Sequence, residues 1–114
     1  MKSIQATGSA FAAIRKDGSV ISWGNPSCGG DTFDVQDQLY DVNFIKGTKV
    51  AFAAIRADGT VIAWGDGRYG GDTSTVADQL KDVQTLSSTD LAFAAVRANG
   101  TVVTWGDRFS GGKM

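Results

Sequence analysis

An all-β fold, built from three tandem copies of one small antiparallel sheet, is what this sequence predicts, and three observations carry the prediction. Aromatic residues recur at a constant interval of 41: Phe11, Phe52 and Phe93, and likewise Trp23, Trp64 and Trp105. Each copy also sets Asp-Gly or Asn-Gly between two apolar runs, at Gly18, Gly59 and Gly100. That is a strong hairpin signal, because these residues tolerate the positive φ of tight turns. Finally, the run before the turn (AFAAI, AFAAI, AFAAV) is apolar at every position, as suits a strand covered on both faces.

Taken in order, each copy reads as three strands and a connector. The copies span approximately 1–41, 42–82 and 83–114 and together make a single repeat domain. The upstream segments SIQATGS, NFIKGTK and TLSSTDL keep Ile4, Ile45 and Leu86 in one column, which places a first and weakest strand there. The AFAAI run is the second strand, and the β-branched run closing on Trp and Gly is the third.

Two hairpin registers are open. A two-residue turn at Asp58 and Gly59 sets Ala53 across from Trp64, whereas a type I turn with a bulge at Gly59 sets Phe52 there. The connector, GGDTFDVQDQLYD or GGDTSTVADQLKD, opens on a glycine pair expected to bend tightly. Its Val35 with Leu39, and Val76 with Leu80, read as two apolar anchors in a loop, at a spacing that would also suit one helical turn. The third copy has its hairpin but stops at Met114, before such a connector.

Composition excludes several functions. The net charge is −1, with 11 basic and 12 acidic residues, which leaves no cationic surface for nucleic acid or for anionic membranes. The segment MKSIQATGS lacks the apolar core of a secretion signal, and no apolar run approaches a spanning length. Cys28 is the single cysteine, so no disulfide forms within one chain, and the cytoplasm is the expected compartment.

Catalysis and cofactors are not expected either. The chain has no His, which removes Ser-His-Asp and Cys-His nucleophile arrangements and His-based metal sites. Asp31, Asp34 and Asp37, echoed by Asp72 and Asp78, depart from the order of a calcium loop and read as turn caps. Arg15, Arg56 and Arg97 could ring a central channel, but an Arg beside a turn is more simply a solvated strand end.

The run WGDGRYGG at Trp64 to Gly71, preceded by IRADGTVIA, resembles the repeats of the regulator of chromosome condensation superfamily. The short period is more similar to its β-lactamase-inhibitor-protein branch, whose blades are three-stranded. The resemblance implies a β-propeller segment of three blades, fewer than the roughly four to eight that close a ring. The chain departs from the family in having no His and in carrying GDT where QLG follows the aromatic-Gly step. Architecture therefore carries over, and exchange-factor activity does not.

Open end blades imply association, with a homodimer that completes the ring as the leading arrangement. A three-fold β-prism, the shape of small lectins, is the alternative. Identical placement makes Phe11, Trp23, Phe52, Trp64, Phe93 and Trp105 core candidates, and Gly18, Gly59 and Gly100 turn candidates. The loop after each Trp varies while its frame stays fixed, which nominates Asn25, Asp66, Arg68, Tyr69, Asp107, Arg108 and Phe109 for binding a protein partner. The expected function is a non-catalytic interaction module. Its rivals are a carbohydrate-binding module and a proteinaceous enzyme inhibitor.

Overall fold

Phe52 lies directly across from Trp64, and Ile55 from Val61, so the bulged hairpin register is the one adopted. The Arg56 N–H donates to the Thr60 carbonyl and the Gly59 N–H to the Arg56 carbonyl, both at 2.9 Å, with Gly59 at φ +85°. This is a four-residue turn closed by a left-handed residue, a conformation that favours glycine. The first and third copies repeat it at Gly18 and Gly100.

In this computed structural model, residues 3–29, 31–32, 35–66, 73 and 76–106 are described. Strands β1 (Ser3–Ala6), β2 (Ala10–Ile14) and β3 (Val20–Gly24) form the first sheet. The second comprises β4 (Val42–Gly47), β5 (Ala51–Arg56) and β6 (Val61–Gly65), and the third β7 (Val83–Ser88), β8 (Ala92–Arg97) and β9 (Val102–Gly106). All three are antiparallel with strands in chain order. A bulge breaks the register between Val42 and Phe44 and again between Val83 and Thr85. The described parts of the connectors contain 3-10 turns at Gln36–Gln38 and Ala77–Gln79. Leu39 and Leu80 anchor them by burial, with Val35 and Val76 packed against the same cores.

Because side chains alternate along a strand, each sheet has two unlike faces. One carries the ring pair: Ile45, Phe52, Ala54 and Trp64 in the second sheet. The other carries small and β-branched residues: Ala51, Ala53, Ile55 and Val61. The small-residue face of the first sheet, with Ala10, Ala12, Ile14 and Val20, packs on the aromatic face of the second. The small-residue face of the second packs in the same way on Leu86, Phe93, Ala95 and Trp105 of the third. Alanine at the contact lets large rings on the neighbour approach closely, which is how dense packing is reached between sheets.

Two cores thus join consecutive sheets, and the three blades form an open arc rather than a three-fold prism. Among the described residues nothing covers the outer faces, which corrects two of the core expectations. Phe11 and Trp23 are 46% and 44% exposed, although their equivalents Phe52, Phe93, Trp64 and Trp105 are all 4% exposed or less. The ring pairing itself is preserved, with centroids 5.6 Å apart in the first blade and 5.5 Å in the second. What the first blade lacks is a blade in front of it.

Candidate functional site

The strands that carry each Trp end beside the β1–β2, β4–β5 and β7–β8 turns, with Gly24, Gly65 and Gly106 paired to Ala10, Ala51 and Ala92. The Asn25 N–H donates to the Ser9 carbonyl and the Asp66 N–H to the Val50 carbonyl, both at 2.9 Å, which fixes where each loop departs. Asn25 is exposed and Asp66 half-buried. Arg68, Tyr69, Asp107, Arg108 and Phe109 lie outside the described residues, as do Gly30, Gly70, Gly71, Asp34 and Asp72.

In the first copy this loop is used internally. A 3-10 turn at Pro26–Cys28 leads to Gly29, whose carbonyl accepts the Trp64 indole N–H at 3.0 Å. Gly29 sits at φ +106°, and a Cβ there would lie 2.5 Å from Phe52 Cδ2. The loop after one Trp therefore roofs the ring pair of the next blade. The Thr7 hydroxyl secures it by donating to the Cys28 carbonyl at 2.8 Å. The glycine pair in the sequence was the available signal for this contact, but its partner 35 residues away could not be read from it.

The opposite end carries the Asp-Gly turns. Here the Val42 N–H donates to the Gly18 carbonyl and the Val83 N–H to the Gly59 carbonyl, each at 2.9 Å, so each turn docks on the following blade. Asp41 and Asp82, at φ +54° and +56°, make the bend that allows it. An Asp in the same column before two strands was a signal for a left-handed residue, since Asp tolerates that region better than most.

Electrostatics at this end are local. The Asp58 carboxylate accepts the Thr60 hydroxyl at 2.6 Å and its backbone N–H at 3.0 Å, and these bonds hold its pKa below the ordinary value. Asp17 is lowered in the same way by Ser19. Arg56 lies over the Tyr40 ring at 4.3 Å and donates to its hydroxyl at 2.7 Å, while the Arg97 Nε donates to the Lys81 carbonyl at 3.3 Å. Both arginines are engaged by the connector beside them, and Arg15 is exposed. Among the described residues no three His, Cys, Asp or Glu converge as metal ligands, and no helix is long and apolar enough to cross a membrane.

No family model matches the sequence, and no curated protein matches it significantly. Solved structures do. Human WBSCR16 is 18% identical with a TM-score of 0.65, over 91% of this chain and 32% of that one. Prp20p from Saccharomyces cerevisiae, described with its binding to Gsp1p and histones, is 20% identical with a TM-score of 0.67, over 91% and 30%. Yeast RCC1 (Prp20) in complex with Kap60 is 16% identical with a TM-score of 0.68, over 91% and 29%. The chain spans about a third of the length of these structures. With three three-stranded blades stacked face to face in one direction, it has an RCC1-like β-propeller blade fold.

Proposed function

We propose that this chain is a non-catalytic β-propeller repeat module that completes its ring with a second copy and, once assembled, binds a protein partner. The observation that carries the first half is the exposure of Phe11 and Trp23, in columns that are buried wherever a neighbouring blade is present. An aromatic pair left at the edge of a stacked sheet favours association, because burying it removes apolar area from water. Self-stacking is favoured over use of the pair as a sugar platform, since the equivalent pairs Phe52 with Trp64 and Phe93 with Trp105 are consumed by blade packing.

The second half rests on the loops and on the neighbours. Asn25 and Asp66 stand at the start of the variable loops, with Arg68, Tyr69, Asp107, Arg108 and Phe109 as the sequence-nominated contacts further on. The yeast structures of the same fold are described with Gsp1p, histones and Kap60, all proteins, which makes a protein the partner class to test. The absence of His from the sequence supports a binding role over acid-base or nucleophilic catalysis. Light scattering on a size-exclusion column, over a range of concentrations, tests the assembly. Twice the mass of one chain is expected, and a single-chain mass throughout would overturn the proposal.

A further inference from the structure

We infer that the joint between copies is directional: the small-residue face of the third blade docks on the aromatic face of the first blade of a second copy. This rests on the self-association proposed above and adds to it which surfaces meet. Both joints inside the chain pair one small-residue face with one aromatic face. The described residues leave one face of each kind uncovered.

On the aromatic side, Ile4, Phe11 and Trp23 are 54%, 46% and 44% exposed. On the small-residue side, Val96 and Val102 are 37% and 42% exposed, whereas their equivalents Ile55 and Val61 are 6% and 7%. The two open surfaces are therefore the two halves of an interface the chain already builds twice. Like faces do not fit each other: two aromatic faces offer no recess for the rings, and two alanine faces leave the gap the rings would fill. Unlike faces make a head-to-tail contact, which gives a closed assembly when rotation returns to the start.

A backbone relay at the rim has the same polarity. The Gly8 N–H donates to the Lys49 carbonyl at 2.8 Å, and the Lys49 N–H donates to the Asp90 carbonyl at 2.7 Å. Among the described residues, the relay ends with the Asp90 N–H at one side and the Gly8 carbonyl at the other. In a head-to-tail joint the Asp90 N–H meets the Gly8 carbonyl of the second copy, and the donor at one end satisfies the acceptor at the other. A joint between like faces brings donor to donor or acceptor to acceptor.

Complementary blocking variants test the polarity. Phe11→Asp spoils only the aromatic face and Val102→Lys only the small-residue face, both at half-exposed positions. Folding of each is checked by circular dichroism, and the pair Trp23→Asp and Val96→Lys replaces them if either fails. Masses are measured at concentrations where the unaltered chain doubles. Each variant alone is expected at the mass of one chain, and an equimolar mixture at twice that mass, because it contains one intact joint and one Asp-Lys joint. A variant that doubles alone, or a mixture that stays at one chain while the unaltered protein doubles, overturns the directional joint. An unaltered protein that never doubles overturns the self-association beneath it.

Discussion

The Trp64 indole N–H donates to the Gly29 carbonyl at 3.0 Å, from one blade to the loop of the blade before it. This bond and the ring contact beneath it make Gly29 intolerant of a side chain, since a Cβ would lie 2.5 Å from Phe52 Cδ2 and the φ of +106° disfavours L residues. Gly29→Ala is expected to cost about 2 to 4 kcal/mol through overpacking and backbone strain. Urea unfolding followed by circular dichroism checks it; a loss under about 0.5 kcal/mol would show that the loop moves aside freely.

The same tryptophan column is expected to behave differently in different blades. Trp64→Ala opens a cavity in the first core and should cost about 3 to 5 kcal/mol, whereas Trp23→Ala in the dissociated chain should cost about 1 to 2 because nearly half of that side chain is already in water. Chemical denaturation at low protein concentration compares the two. Equal losses would contradict the uncovered first face.

Glycine at the hairpin turn offers a second matched pair. Gly59 and Gly100 share a φ near +85°, so Val at either incurs backbone strain of roughly 1 to 2 kcal/mol. A Cβ on Gly59 would also lie 3.0 Å from Asp82 Cα, while a Cβ on Gly100 meets nothing within 4 Å. Gly59→Val should therefore be the more destabilising by about 1 kcal/mol or more in the dissociated chain. Thermal unfolding of the two variants side by side would reveal it, and the reverse order would argue against docking of the turn on the next blade.

Acid sensitivity is expected at the turns. A carboxyl whose folded pKa is depressed stabilises the fold above its unfolded pKa, and that contribution is lost as pH falls through the folded value. For Asp17 and Asp58 the loss comes below about pH 3.8, the ordinary value from which both are lowered. The third copy already carries Asn at this position, where the Asn99 side-chain carbonyl accepts the same two bonds from Thr101 at 3.0 and 2.7 Å. The double variant Asp17→Asn/Asp58→Asn should keep the turns and show a shallower fall of stability with pH in that range. Urea titrations at pH 7 and pH 3 measure the difference, and an unchanged slope would remove these carboxylates from the acid response.

Much of this architecture was legible in the chain because it is local. The Asp-Gly and Asn-Gly steps marked three hairpins, the column of Ile4, Ile45 and Leu86 marked the first strands, and Val35 with Leu39 marked an anchored connector. The hairpin register was not legible, since a two-residue turn and a bulged turn use the same residues and differ by one step of pairing. Nor was the role of Gly29, because a glycine needed for close approach looks in sequence like one needed for a bend. Asn25 and Asp66 mark where the variable loops begin, while the use of the first loop as a roof over Phe52 and Trp64 emerged only from the stacking of blades.

What the sequence by itself determined is the blade: its three strands, its turn chemistry and the repeated columns of one Phe and one Trp, all set by short-range contacts between strands adjacent in the chain. What only the tertiary structure decided is which of these identical blades has a covered face. Phe11 and Phe52 occupy the same column of the same repeat, yet one is 46% exposed and the other fully buried. Burial belongs to the neighbour that supplies it, and a blade at the end of the arc has none on one side.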